Sequence, residues 1–146
     1  MVYRIREVDG SDDDVADELR LLHELTFFGD APAPDTDTGH WWLVYCGDDP
    51  VAFAGLTPST YGPCVGYLKR VGVLPGHRGH GLHRRLTRVR EARARRNGWR
   101  LLVTDTTNNP HSANNLIACG YRIFAPVVPW AFPQTIYWRK DLTCRK

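Results

Sequence analysis

The segment "VGVLPGHRGHGLHRRL", residues 71–86, constrains this chain more than any other. An apolar run ends at Val73, glycines follow at 76, 79 and 81, and an arginine-rich helical stretch begins at Leu82. Glycine permits left-handed turns and lets a ligand approach the backbone without meeting a Cβ. A strand that bends through glycines into a helix presents several free N–H groups at the positive end of the helix dipole. Such a bend suits an anion, above all phosphate, and Arg78 can add charge-assisted bonds. It is not a Walker loop, because no Gly-Lys-Ser/Thr follows. It is not an early dinucleotide fingerprint with a later ribose-binding acid either. A glycine-rich connection without a ligand is the plain alternative.

A chain of 146 residues is long enough for one domain with a real core, so residues 1–146 are read as a single domain. Its 42% hydrophobic and 24% charged residues place it with globular proteins. No apolar run reaches the ~20 residues of a membrane span, and "MVYRIREVDG" lacks a signal-peptide core. An intracellular, cytoplasmic protein with no membrane partner is expected. Cys46, Cys64, Cys119 and Cys144 form no C-x-x-C pair and read as reduced, mostly buried thiols. His77, His80 and His83 recur at a spacing of three. Glycines part the first two and no carboxylate or cysteine is near, so no metal is expected.

The net charge of +3 conceals an asymmetry. Residues 1–49 hold 13 acidic and 3 basic side chains, whereas residues 69–100 hold 11 basic and one acidic, Glu91. Two surfaces with different partners follow from that split.

Periodicity gives the elements. "YRIREV" reads as a strand, then "SDDDVADELRLLHELTFF" as a helix capped by Ser11, with Asp14 three residues on. Val15, Leu19, Leu22 and Leu25 or Thr26 make its inner stripe. "HWWLVYC" and "VAFAGLT" form a hairpin through "GDDP", and "GYLKRVGV" is the fourth strand. A helix over roughly 82–97 turns Leu82, Leu86, Val89 and Ala92 inward and ends at Gly98. "RLLVTDT" is a strand. Asn109 caps a short helix that starts at Pro110 and stops at Gly120. "YRIFAP" and "QTIYWRKDL" are the last strands, parted by "VVPWAFP". The order β-α-β-β-β-α-β-α-β-β predicts a mixed α/β fold with helices on the sheet.

"VLPGHRGHGLHRRL" resembles the GNAT N-acetyltransferase signature V-x-P-x-[Y/H]-R-G-x-G-[I/L]-[G/A]-x-x-L through Val73, Pro75, Arg78, Gly79, Gly81, Leu82 and Leu86. "NPHSANNLIACGY" is similar to the second GNAT signature through Asn109, Ser112, Gly120 and Tyr121. The element order agrees over nearly the whole chain. The resemblance implies a mostly antiparallel sheet of about seven strands, of α+β type, splayed between strands 4 and 5. It implies acetyl-coenzyme A in a gap between the strand ending at Val73 and the strand 100–106. Residues 78–83 (Arg78, Gly79, His80, Gly81, Leu82, His83) would cradle the pyrophosphate with backbone N–H groups. Val71 and Val73 would pair with the pantetheine arm, one N–H polarising the thioester carbonyl. Asn109 and Ser112 would contact the arm from the other side. The implied activity is transfer of acetyl to a primary amine of a small molecule or peptide, by direct attack in a ternary complex. Homodimers are common in the family.

The sequence departs from that pattern at three places. His83 replaces the last small residue of the phosphate motif and would crowd the phosphate or donate to it. Leu116 stands where a proton-donating tyrosine is usual, which leaves water or Ser112 as the acid. Tyr67 stands where some members carry a basic glutamate. At an ordinary pKa of ~10 a tyrosine is a poor base, so Tyr67 orders a water or is a half-buried aromatic. These departures keep an alternative open: a GNAT-fold module that binds acyl-CoA or nucleic acid with little catalysis.

For the acceptor, the family pattern points to "FFGDAPAPDTDTGHWW" and "VVPWAFP". Phe28, Asp30, Asp35, Asp37 and Trp130 combine carboxylates with aromatics, which suits a cationic amine. A solvated acidic loop is the other reading. Arg84, Arg85 and Arg88 could reach the coenzyme's 3′-phosphate. The later arginines, Arg90, Arg93, Arg95, Arg96 and Arg100, read as a solvated face, with nucleic acid the less favoured partner.

Overall fold

Period-two apolar runs make seven strands and period-3.6 runs make three helices. The computed structural model describes residues 2–28 and 31–143. In chain order they are β1 (Tyr3–Val8), α1 (Asp13–Phe27), β2 (His40–Cys46), β3 (Asp49–Pro58), β4 (Val65–Val73), α2 (Leu82–Arg96), β5 (Leu101–Thr106), α3 (Pro110–Ala118), β6 (Arg122–Phe124) and β7 (Ile136–Asp141). The sheet order is β1-β2-β3-β4-β5-β7-β6. The β1–β2, β2–β3, β5–β7 and β6–β7 pairs are antiparallel. The β4–β5 pair is parallel and short, joining Val65–Tyr67 to Leu101–Val103, as expected of strands that part. The chain packs as two compact units, residues 1–57 with 69–86, and residues 58–68 with 87–146.

In the first unit, Leu19 and Leu22 of α1 pack with Trp41, Leu43 and Phe53 of β2 and β3. Each of these side chains is almost wholly out of water, worth about 1.5–3 kcal/mol apiece for the aliphatic and Phe side chains. The last position of the amphipathic stripe falls on Thr26, whose hydroxyl donates to the Leu22 carbonyl at 2.8 Å, while Leu25 is exposed. The helix cap is Asp12 rather than Ser11. The Asp12 carboxylate accepts from the Val15 N–H at 3.1 Å, and Ser11 instead bonds Asp9 through both N–H and hydroxyl. The charged carboxylate wins because it also meets the helix dipole. Asp12→Ala is therefore expected to cost about 1 kcal/mol in urea denaturation, and Ser11→Ala much less. The β2–β3 hairpin turns on Gly47 and Asp48 alone, since Cys46 pairs with Asp49, so β3 starts two residues before the expected Val51.

In the second unit, Leu102 and Val103 of β5 are fully buried, and Leu116, Tyr121 and Trp138 are buried as well. The Trp138 indole N–H donates to the Thr106 hydroxyl at 2.9 Å. The Thr104 hydroxyl donates to the Leu68 carbonyl at 2.9 Å, directly after the β4–β5 pairing ends. Gly98 (φ 77°) and Gly120 (φ 90°) close α2 and α3 in the left-handed region, as expected. β6 and β7 are shorter than their apolar runs, Arg122–Phe124 and Ile136–Asp141.

The inner face of α2 differs from its apolar stripe. Ala92 is exposed, and Arg90 and Glu91 are buried instead, with Ala94. Arg90 thus leaves the expected solvated face. Its neighbours Arg88, Arg96 and Arg100 are exposed. Glu91 makes the inward position tolerable: its carboxylate accepts from the Tyr121 hydroxyl at 2.9 Å and from Lys140 at 3.2 Å on each oxygen. Lys140 also donates to the Cys119 carbonyl at 2.7 Å. Desolvation lowers the Arg90 pKa to about 10, and burial beside Glu91 pushes Tyr121 well above its usual value. The cysteines are less buried than expected. Cys46 and Cys119 are half-buried, Cys64 is exposed, and Cys144 lies outside the described residues.

Candidate functional site

β4 ends at Val73, and Pro75–His77 form one 3-10 turn that the sequence reading leaves as part of the bend. Gly79 (φ 81°) and Gly81 (φ 75°) then take left-handed conformations, which a side chain would strain. No heavy atom lies within 4 Å of where their Cβ atoms would be, so the backbone is open there. The first helical bond of α2 runs from the Arg85 N–H to the Gly81 carbonyl at 3.0 Å. The N–H groups of Gly79, His80 and Gly81 bond to nothing within the described residues. Three such donors together fit a pyrophosphate.

The side chains around the bend brace it. Arg78 is exposed and its Nε–H donates to the Val73 carbonyl at 3.2 Å. The Tyr3 hydroxyl and His77 Nδ1 are 3.0 Å apart, and His80 Nδ1 is 3.2 Å from the His77 carbonyl oxygen. These two histidines therefore have roles in the turn itself. Both His83 ring nitrogens are shielded from solvent. The His83 residue as a whole is half-buried. Leu82 is buried and anchors the first turn of α2, and Arg84 is exposed. Val71 and Val73 are half-buried, with Gly72 packed between them against Thr26 and Phe53.

In the second unit, Asn109 caps α3 by accepting from the Ser112 N–H at 3.0 Å, and Pro110 takes the first helical position. Leu116 is buried, so that position holds core packing and no proton donor.

Tyr67 and Trp130 come together through a residue the sequence reading missed. The Tyr67 hydroxyl donates to Asp105 Oδ2 at 2.7 Å, and the Trp130 indole N–H donates to the same oxygen at 2.8 Å. Asp105 lies near the end of β5 and is half-buried. An acidic residue inside the apolar run "LLVTDT" was the available signal. Trp130 packs edge-on to Tyr137, with ring centroids 4.6 Å apart, and Tyr61 and Phe124 complete the cluster.

The acidic loop behaves differently. Asp35 and Asp37 are exposed and line a cleft of about 210 Å³ in the first unit, with Asp13, Arg20 and Thr36. Asp35 accepts from the Asp37 N–H at 2.9 Å, and the Thr36 hydroxyl donates to the Gly10 carbonyl at 2.7 Å. Phe28 is exposed, forms the left-handed cap of α1 and does not line that cleft. Asp30 lies outside the described residues. A second missed residue is His23, buried in the first unit and stacked on Phe27 at 4.3 Å. Burial and the nearby Arg70 lower its pKa. Among the described residues, no group of three His, Cys, Asp or Glu is placed to hold a metal ion. No helix among them is long and apolar enough to cross a membrane.

The family model of the Acetyltransferase (GNAT) family matches residues 3–121. The chain belongs to the GNAT acetyltransferase family. Its fold is that of solved GNAT structures. A GNAT-family protein from Desulfovibrio desulfuricans superposes with a TM-score of 0.79 at 20% identity, over 97% of this chain and 99% of that one. The ribosomal-protein-S18-alanine N-acetyltransferase from Escherichia coli gives 0.75 at 11% identity, over 99% and 97%. A Bacillus subtilis acetyltransferase in complex with CoA gives 0.70 at 17% identity, over 96% and 99%. Among curated proteins, none matches significantly. In this GNAT chain the backbone is open at Gly76, Gly79 and Gly81, and Leu116 is buried.

Proposed function

We propose that the protein is an acetyl-CoA-dependent N-acetyltransferase that moves an acetyl group to a primary amine of a small molecule or peptide. The observation that carries this reading is the trio of N–H groups at Gly79, His80 and Gly81 that find no partner among the described residues, in a family whose members transfer acetyl groups. The bound coenzyme would supply the activated acetyl group as a thioester.

The chain's own residues do the rest. The N–H groups of Gly79, His80 and Gly81 grip the diphosphate, and the Arg78 side chain adds positive charge. The backbone of Val71 and Val73 bonds the amide-rich arm in the manner of an added strand, and one of these N–H groups donates to the carbonyl oxygen as negative charge develops there. Asn109 and Ser112 contact the arm. Holding both reactants supplies most of the rate, so the leucine at 116 slows proton return to the thiolate without preventing transfer. Tyr67 with Asp105 orders the water that takes the amine's proton, and Ser112 is the remaining side-chain donor toward the thiolate.

Tyr67→Phe removes the 2.7 Å bond to Asp105. A hydrogen bond to a charged group is worth about 1.5–3 kcal/mol, so kcat is expected to fall roughly 10- to 100-fold with a changed pH–rate profile. An unaltered profile returns Tyr67 to packing. The activity itself is tested by steady-state release of CoA thiol over a panel of amines. Release with any amine supports the transferase. Tight acetyl-CoA binding with no release supports the binding module that Leu116 favours. A steep salt-dependent shift with DNA or RNA would point that module to nucleic acid.

A further inference from the structure

We propose that Asp105 and the rings around it form a seat for an aliphatic ammonium group, the group by which the amine acceptor is recognised. The word acceptor rests on the transferase reading above; the seat itself rests only on residues of the second unit.

Asp105 is a half-buried carboxylate with no cationic partner among the described residues. A charge taken partly out of water calls for compensation. Here it comes from two neutral donors, the Tyr67 hydroxyl at 2.7 Å and the Trp130 indole at 2.8 Å, and both fall on Oδ2. Oδ1 accepts no hydrogen bond within the described residues. The two donors fix the carboxylate's plane and leave its charge for a ligand.

The surroundings match an organic cation. Trp130 stands 4.6 Å from Tyr137, 5.8 Å from Tyr61 and 6.3 Å from Phe124, centroid to centroid. The loop that carries it is tied down, because the Ala131 N–H donates to the Tyr137 hydroxyl at 2.9 Å. Ring faces are electronegative, and rings clustered beside a carboxylate are the setting in which ammonium ions bind. One face of Phe124 already carries the Arg139 guanidinium at 5.6 Å and Tyr137 is buried beneath the cluster, so the exposed Trp130 is the ring presented beside Asp105.

The same geometry selects the kind of cation. A guanidinium binds a carboxylate best through both oxygens in a flat fork. With Oδ2 taken by two donors, one oxygen is left, which suits the compact point charge of an ammonium. An anionic or neutral acceptor gains nothing from Asp105.

The test uses the full-length protein and calorimetry with n-butylammonium, n-butylguanidinium and butyrate, with and without saturating coenzyme A. Saturable binding of butylammonium, at least tenfold tighter than the other two, is expected in one of these conditions. Asp105→Asn keeps an oxygen for Tyr67 and Trp130 and is expected to weaken butylammonium at least tenfold, with acetyl-CoA affinity unchanged. Trp130→Phe keeps a ring, loses the N–H and is expected to weaken it severalfold. Wild-type protein that fails to bind butylammonium, or Asp105→Asn protein that binds it undiminished, overturns the seat. Failure there with acetyl-CoA binding intact leaves the transferase reading standing. Butylammonium binding without any acetyl-CoA binding supports the seat and refutes the transferase.

Discussion

Gly81→Glu protein is expected to lose acetyl-CoA affinity by about 1000-fold or more, with the fold retained. Two effects combine. Gly81 sits at φ 75°, where an L side chain costs about 1–2 kcal/mol. The new carboxylate also stands beside the N–H groups that receive the diphosphate, and like charges oppose each other most strongly where water is displaced. Together these reach about 4 kcal/mol, and each 1.4 kcal/mol is a factor of ten. No atom lies within 4 Å of the Cβ position, so the core is untouched and stability should fall by no more than the backbone strain, about 1–2 kcal/mol. Gly81→Ala carries the strain without the charge and should lose only about tenfold. Calorimetry on the three proteins separates the terms; equal affinities for wild type and Gly81→Glu would refute the cradle.

The largest effect on stability is expected from Glu91→Ala, a loss of about 3–5 kcal/mol in urea denaturation. Glu91 is buried and takes the Tyr121 hydroxyl and the Lys140 ammonium, with the buried Arg90 next to it in the chain. Removing the carboxylate strands a buried hydroxyl and leaves Arg90 and Lys140 without its countercharge. Glu91→Gln keeps an acceptor for Tyr121 and should cost less. A loss below about 1 kcal/mol for Glu91→Ala would mean that water reaches these groups and that they behave as a surface pair.

Local sequence determined the elements and the bend. Leu19 and Leu22 repeat at helical spacing, Gly98 and Gly120 stand where only a left-handed residue ends a helix, and Asn109 precedes Pro110. Each of these preferences acts within a few residues, so it can be read without a partner. The glycines at 79 and 81 belong to the same class, since positive φ is a property of the residue itself.

Tertiary structure decided what depends on a distant partner. Arg90 looks like one more solvated arginine until the fold buries it, with its guanidinium donating to the Thr87 hydroxyl at 3.3 Å and the adjacent Glu91 taking Tyr121 and Lys140. Asp105 is one acid in an apolar strand until Tyr67, 38 positions away, and Trp130, 25 away, place their donors on one of its oxygens. Charge and hydrogen bonding act through space over a few ångströms, and the chain order holds no record of which side chains will come that close.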